Sequence, residues 1–207
     1  MPKFPEPPSP RTLAALGPEI FVLPAGTALW RIYFQGGAHP TTWDQFRAWG
    51  PGNARFDHHL PPPHIQDRRI LYAVDRGAAC GAEVFQETRV LDRTASDPAL
   101  VGFVSMRNLQ LLDLTSTWPT RAGASMAINS GMRRRAQRWS QAIYEAFPAL
   151  DGIRYASSMY QNVPSFALFE KAEDAIPLYP IFNRRLDDPA LDTTLRNLAV
   201  EIGYLLI

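Results

Sequence analysis

Five side chains of types that bind or cleave charged nucleotides are spread along the chain: Arg31, Arg55, Tyr72, Glu83 and Ser157. Two guanidiniums can clamp a pyrophosphate through paired hydrogen bonds, and an aromatic ring can pack against a heterocycle. A carboxylate can stabilise the positive charge that develops on a ribose when its glycosidic bond breaks. This combination is what cleavage of the nicotinamide–ribose bond of NAD requires.

Glu83 lies in the stretch that the rest of the chain is organised around. The apolar run Ile70–Val74 is too short for a helix and predicts a buried strand. Asp75 then occupies the position expected of a helix N-cap, and the helix predicted after it has an apolar face rich in alanine. Glu83 borders that face, and Glu87 follows one turn later on the same side. Either carboxylate is solvated or held against a ligand.

The two arginines lie in segments of different kinds. The aromatic, alternating segment Thr27–Phe34 predicts a strand, in which Arg31 either faces solvent or points into an anion site. Arg55 lies in Gly36–Pro63, where repeated glycine and proline predict a long irregular excursion. Its aromatic residues argue against disorder, so the excursion is interpreted as a functional loop.

Three histidines, His58, His59 and His64, lie at and just beyond the end of this excursion. They include no pair at helical i, i+4 spacing, and a triple proline separates the first two from the third. Loop surface is therefore favoured over a metal site, and no metal is predicted.

Further strands are predicted over Val101–Met106, Leu109–Leu114, Gly152–Ser158, Phe166–Phe169 and Leu178–Phe182. Ser157 and Ser158 place two hydroxyls at the end of one of them. A helix is predicted over Ser125–Phe147 from the apolar residues Met132, Ala136, Trp139, Ile143 and Phe147, and a terminal helix from Leu191, Leu195, Leu198 and Ile202.

The predicted helix that ends at Phe147 also carries a basic cluster formed by Arg133, Arg134, Arg135 and Arg138. The cluster is interpreted as a solvated helix face, with nucleic-acid binding as the alternative. Direct contact with nucleic acid is not expected.

Composition restricts the class of protein. The chain has 207 residues, 46% of them hydrophobic, which suits one domain with a sizeable core. Its formal charge of +1 creates no field that recruits nucleic acid or an anionic membrane. Cys80 is the one cysteine, which excludes an internal disulfide. No signal sequence or membrane-spanning run is recognised, so a cytoplasmic protein is expected.

Several short motifs, taken in order, resemble the RES-domain family, which is named for an arginine, a glutamate and a serine. They are Leu29–Tyr33, Ala54–Asp57, Ile70–Ala73 with Ala82–Val84, and Asp151–Ser157 with Ala167–Glu170. The resemblance runs from about Leu29 to Phe182, which is most of the chain.

The resemblance implies an α/β (α+β) fold similar to ADP-ribosyltransferases, compact, with a curved or split β-core, flanking helices and a cleft for NAD. It implies a single RES domain over 21–207, preceded by a proline-rich arm over 1–20 that is extended, mobile or held on the surface. Family members are toxins of toxin–antitoxin pairs, usually matched with a small Xre-type antitoxin. They consume NAD as glycohydrolases or phosphorylases, or they transfer ADP-ribose to a protein.

The resemblance also implies roles for individual residues. Arg31 matches the family arginine that grips the NAD phosphates, and Arg55 matches a second basic position. Tyr72 matches the ring that packs on NAD, while Glu83 and Ser157 match the family glutamate and serine. Arg31, Glu83 and Ser157 are therefore the expected catalytic residues, and Arg31, Arg55, Tyr72 and Ser157 the expected NAD-binding residues. Glu87 and Ser158 are second choices for the glutamate and the serine.

A different interpretation keeps the fold but not the chemistry. In it, the chain is a catalytically silent module that partners an Xre-like protein. Loss of NAD that depends on Glu83 would distinguish the two interpretations.

Overall fold

The structure is a computed structural model that describes residues 4–207. The strands are β1 (Ile20–Leu23), β2 (Ala28–Phe34), β3 (Arg47–Gly50), β4 (His64–Val74), β5 (Val90–Leu91), β6 (Pro98–Val104), β7 (Leu109–Asp113), β8 (Gly152–Ala156), β9 (Pro164–Phe169), β10 (Phe182–Arg185) and β11 (Leu205–Leu206). The α-helices are α1 (Pro10–Leu16), α2 (Gly77–Val84), α3 (Trp118–Arg121), α4 (Arg133–Ala146) and α5 (Asp192–Ile202).

Within residues 4–207, nine strands form one mixed sheet in the order β1-β7-β8-β9-β4-β2-β6-β10, with β3 added along β4. β7 and β8 run parallel, and the other neighbours in this sheet are antiparallel. β5 and β11 form a separate parallel pair. The predicted mixed α/β class is therefore confirmed.

The sheet splits between β2 and β4. These strands share one registered pair, Trp30 with Val74. Nearer the start of β4, the edge of β4 that faces β2 pairs instead with β3, in which Arg47 is opposite Ile70. β2 meanwhile stays paired with β6 over its whole length, from Ala28 to Phe34. β2 and β4 therefore diverge, and the gap between them supplies the cleft that a split β-core implies.

The predicted strand and helix around Glu83 are confirmed as β4 and α2, but the helix begins later than expected. Its N-cap is Arg76, which is still in an extended conformation at φ −131° and ψ 128°. Asp75 is therefore not the N-cap. Its Oδ1 is buried without a hydrogen-bond partner, and burial raises the pKa of this carboxyl.

The apolar stripe of α4 packs in the largest core cluster, as predicted for Ala136, Trp139, Ile143 and Phe147. Met132 does not belong to that stripe, because it precedes the helix as its N-cap and is 61% exposed. The predicted start at Ser125 was also too early, since a short 3₁₀ turn and a loop precede α4.

The N-terminal segment lies against α4. Phe4 is buried and stacks on Trp139, with ring centroids 6.4 Å apart. Glu6 forms ion pairs with Arg135 at 3.1 Å and with Arg138 at 2.5 Å. Two arginines of the basic cluster therefore hold the segment in place. Residues 1–3 of the predicted arm lie outside the described residues.

The predicted strand over Leu178–Phe182 is wrong. Leu178 and Tyr179 are 82% and 77% exposed, and β10 begins only at Phe182. Pro177 and Pro180 explain the difference, because neither has an N–H to donate to a neighbouring strand. The predicted terminal helix is confirmed as α5.

Within residues 4–207, no helix is both long and apolar enough to cross a membrane. In the same part of the chain, no group of three or more histidine, cysteine or acidic side chains is arranged to hold a metal ion.

Candidate active site

A cavity of about 1110 Å³ opens where β2 and β4 diverge. Four of the predicted site residues line it: Arg31, Arg55, Tyr72 and Glu83. The fifth, Ser157, is buried and bonded to Glu83. Residues that are far apart in sequence are thus brought to one cleft.

The contact between Ser157 and Glu83 is fixed by the hydrogen bonds around the hydroxyl. Ser157 Oγ accepts from the backbone N–H of Tyr160 at 3.0 Å and of Met159 at 3.2 Å. Its single proton is then available for Glu83 Oε1, which lies 2.5 Å away. Ser157 therefore orients the carboxylate, while its neighbour Ser158 lines the cavity itself.

The environment of Glu83 raises the pKa of its carboxyl. Burial is the largest cause, because it disfavours the charged form. The hydrogen bond from Ser157 and the positive charges of Arg55 and Arg133 act in the opposite direction, but the net pKa stays above the usual range. Perturbed carboxyl groups in clefts are typical of functional sites.

Arg31 lies on β2 and points into the cavity. Its Nη1 donates to the backbone carbonyls of Trp43 and Gln45, both at 3.3 Å, while its Nε is buried without a partner. Burial lowers the pKa of Arg31 to about 10, so the guanidinium is still charged at neutral pH. Among residues 4–207 no carboxylate lies within ion-pair distance of it.

Arg55 approaches from the loop that follows β3. Its Nη1 donates to the carbonyl of Gly131 at 2.5 Å, and burial lowers the pKa of the guanidinium. Like Arg31, it has no carboxylate partner within the described part of the chain. The cavity therefore carries two positive charges that have no carboxylate within ion-pair distance among residues 4–207.

Tyr72 lies on β4 with its ring at the cavity wall. Its hydroxyl is buried near the backbone N–H of Phe56 but without the geometry of a hydrogen bond. Burial raises the pKa of Tyr72 well above its ordinary value, so the ring is a neutral surface at neutral pH.

Glu87 differs from Glu83 in its surroundings. It is largely exposed, and it pairs with Arg133, whose Nη1 lies 2.8 Å from Glu87 Oε1. The other amino group of Arg133 donates to Gln86 Oε1 at 2.7 Å. Glu87 also lies beyond the end of α2 and not one turn further along it as predicted, and of these two carboxylates only Glu83 is held by a buried serine.

A buried polar cluster centred on Asp57 lies next to the cavity. Asp57 Oδ2 accepts from Arg47 Nη2 and from the backbone N–H of Gly52, each at 2.6 Å, and its Oδ1 contacts His59 Nδ1 at 2.5 Å. Burial raises the pKa of Asp57, but the bonds from His59 and Arg47 outweigh it, so the net pKa is low. The cluster fixes the loop that carries Arg55.

Assigning the histidines to the loop surface was wrong for two of the three. His58 and His59 are fully buried, and His58 packs against Tyr144 and Phe169 with ring centroids 4.4 and 4.5 Å away. Periodicity gave no signal for this burial, because it depends on packing beneath β9 and α4. Arg47, which also lines the cavity, was missed for the same reason: its partner Asp57 is revealed only by the fold.

The fold was compared with known proteins. The crystal structure of the M. tuberculosis MbcT–MbcA toxin–antitoxin complex contains a matching chain, the MbcT toxin, with a TM-score of 0.58. The match covers 91% of this chain and 96% of that chain. This chain has the MbcT toxin fold. The toxin-type fold that the sequence motifs predicted is thereby confirmed.

Sequence identity with MbcT is 18%, so the likeness establishes the fold and not the activity. No family model and no curated protein matches the sequence. The function must therefore be argued from the cavity.

Proposed function

We propose that this chain is a RES-type toxin that consumes NAD by cleaving the nicotinamide–ribose bond, and that a partner antitoxin, of Xre type, neutralises it. One observation carries the proposal: the Glu83 carboxylate, oriented by Ser157 at 2.5 Å, faces a cavity with two unpaired guanidiniums. The cavity volume of about 1110 Å³ is slightly above the range of about 300–1,000 Å³ typical of small-molecule sites, which suits a dinucleotide.

The proposed pose places the pyrophosphate of NAD between Arg31 and Arg55. Their charges lack carboxylate partners, and burial strengthens their attraction for an anion. The buried Nε of Arg31 supplies a donor that needs an acceptor. The neutral ring of Tyr72 gives a surface on which a heterocycle can pack.

Glu83 would act on the ribose that carries nicotinamide. Ser157 donates a hydrogen bond to Oε1 of Glu83, and within residues 4–207 no group donates to Oε2 of Glu83. Oε2 is thus available to a ribose hydroxyl. As the bond to nicotinamide breaks, its electron pair leaves with neutral nicotinamide, and the negative charge of Glu83 stabilises the cationic ribose. Water, inorganic phosphate or a protein nucleophile then forms the new bond and loses its proton.

The proposal of a protein partner is supported by the fold. MbcT was crystallised in a toxin–antitoxin complex, and this chain has the same fold. An NAD-consuming chain in a cell needs a means of control, which an antitoxin provides. A catalytically silent module would have the same fold but would not require the oriented carboxylate.

The test is NAD turnover by the purified chain, measured with and without inorganic phosphate. The wild type should release nicotinamide, and Glu83→Gln should lower kcat by about 1000-fold or more, the scale for losing a key electrostatic group. Glu87→Gln is the matched control, because it removes a nearby carboxylate of the cavity that lies in the turn after α2 and is paired with Arg133. It should change kcat only a few-fold.

A phosphate requirement would identify phosphorolysis, and turnover without phosphate would identify hydrolysis. If free NAD survives in both buffers, transfer of ADP-ribose to proteins is assayed with labelled NAD. The absence of all three reactions would contradict the proposal and leave the silent module.

A further inference from the structure

We infer that Trp49 and Ile65 form a subsite for the adenine base, at the end of the cavity away from Glu83. The inference rests on the proposed function, because it assigns the second half of the same dinucleotide. It names two residues that did not belong to the predicted site.

Trp49 and Ile65 are directly paired across β3 and β4, so their side chains lie on the same face of the sheet. Both line the cavity, yet Trp49 is 52% exposed and Ile65 is 77% exposed. The pair lies at the start of β4, whereas α2, which carries Glu83, follows the end of β4. It is thus an uncovered apolar lip on a ligand-sized cavity.

The distribution of charge favours a neutral group at this lip. Within residues 4–207, Arg31 and Arg55 have no carboxylate at ion-pair distance, so they attract the pyrophosphate. The guanidinium nearest to Trp49 in the chain is Arg47, which Asp57 neutralises at 2.6 Å. A neutral aromatic base therefore fits beside Trp49 better than a phosphate does. Stacking on an indole ring is the usual way in which proteins hold such a base.

The loop after β3 shows that one ligand can reach both ends. Asn53 Nδ2 donates to Glu87 Oε1 at 3.4 Å, close to Glu83 on α2. Asp57, four residues later, holds Arg47 of β3. Trp49 itself precedes Asn53 by four residues, which span at most about 14 Å, so Trp49 lies within a distance of the Asn53–Glu87 contact that an extended dinucleotide can bridge.

The experiment compares NAD with nicotinamide mononucleotide, which has the same reacting bond but lacks the adenylate. Trp49→Ala should raise the KM for NAD about tenfold, the scale of one stacked base, with kcat little changed. The KM for nicotinamide mononucleotide should not change. Trp49→Phe should restore most of the affinity for NAD, because it keeps an aromatic ring. Ile65→Thr should raise the KM for NAD by a smaller factor.

Leu178→Ala is the control, since Leu178 is a large apolar residue, 82% exposed, that does not line the cavity. It should leave both substrates unaffected. The inference would be overturned if Trp49→Ala raised the KM for both substrates equally or for neither.

If the wild type cleaves neither substrate and transfers no ADP-ribose to protein, the proposed function fails, and the subsite is tested by binding alone. Titration calorimetry with AMP should then show about tenfold weaker binding to Trp49→Ala than to wild type. Equal affinities would overturn the adenine subsite in that case also.

Discussion

Ser157 donates its one hydroxyl proton to Glu83 Oε1 at 2.5 Å, while two backbone amides donate to its oxygen. The serine is thus an orienting group for the carboxylate and not a free nucleophile. The backbone amides come from Met159 and Tyr160, in the turn that links β8 to β9. The turn between β8 and β9 therefore determines where the α2 carboxylate points.

The pH dependence of turnover should report this contact. The hydrogen bond from Ser157 lowers the pKa of Glu83, against the larger effect of burial. The proposed reaction needs ionised Glu83, so activity falls as pH drops through that pKa. Ser157→Ala removes a pKa-lowering contact and should move the acid limb of the kcat profile to higher pH. Ser158→Ala is the neighbouring control and should leave the limb in place. An unchanged limb in Ser157→Ala would show that Glu83 does not control the acid side.

Glu83 should also destabilise the fold at neutral pH. Its pKa is raised in the folded state, so the unfolded chain binds fewer protons than the folded chain between the two pKa values. The free energy of unfolding therefore falls as pH rises through this window. Glu83→Gln removes the buried charge and should raise Tm at pH 7 by ~2–4 °C, the effect of about 1 kcal/mol at this chain length. This rise in Tm should become smaller when the pH is below the carboxyl pKa of the unfolded chain, about 4.3. Thermal unfolding of wild type and Glu83→Gln at pH 4 and pH 7 measures this difference in Tm. A difference in Tm that is equal at both pH values would contradict the prediction.

The two unpaired guanidiniums should govern affinity for the phosphates. Arg31→Gln and Arg55→Gln each remove a charged donor, and each should lower kcat/KM for NAD by ~10–100-fold, the range for hydrogen bonds to charged groups. Inhibition by ADP-ribose, which keeps the pyrophosphate, should weaken in parallel. Inhibition by nicotinamide, which has no phosphate, should not change. Arg184→Gln, an exposed arginine outside the cavity, is the control. If these variants weakened inhibition by ADP-ribose and by nicotinamide equally, the arginines would not be the groups that bind the phosphates.

Local patterns were enough to predict the elements that carry the site. The apolar run before Glu83, the aromatic alternation around Arg31 and the short strand before Ser157 each specify a strand by periodicity alone. The order of motifs then predicted which side chains converge, and Arg31, Arg55, Tyr72 and Glu83 do line one cavity. Their catalytic and binding roles stay predictions until turnover is measured.

Features that depend on long-range packing could not be predicted in this way. The divergence of β2 from β4 follows from the insertion of β3, a strand of four residues inside an irregular segment. The burial of Phe4 requires Trp139 of α4, far along the chain. Asp57 is recognisable as a buried anchor only once Arg47, Gly52 and His59 surround it. A sequence window contains none of these contacts.

Asp57 should be among the residues most important for stability. It is fully buried, it accepts hydrogen bonds from Arg47, Gly52 and His59, and its net pKa is low in the folded state. Because its pKa is depressed, the stability that it contributes is present above the carboxyl pKa of the unfolded chain and is lost as pH falls through the lower folded value. Asp57→Ala leaves the buried His59 without its acceptor and Arg47 without its carboxylate, and should lower the free energy of unfolding by ~1–3 kcal/mol.

Urea unfolding at pH 7 measures that loss, with Asp67→Ala as control because no ion pair or hydrogen bond of the Asp67 side chain is found within residues 4–207. Asp67→Ala should change the free energy of unfolding by about 0.5 kcal/mol or less. The difference in the free energy of unfolding between wild type and Asp57→Ala should narrow below pH ~3.9, where the Asp57 carboxyl of the unfolded wild type becomes protonated while that of the folded protein is still ionised. A difference that is the same at pH 3 and pH 7 would show that Asp57 stabilises the loop by packing and not by its charge.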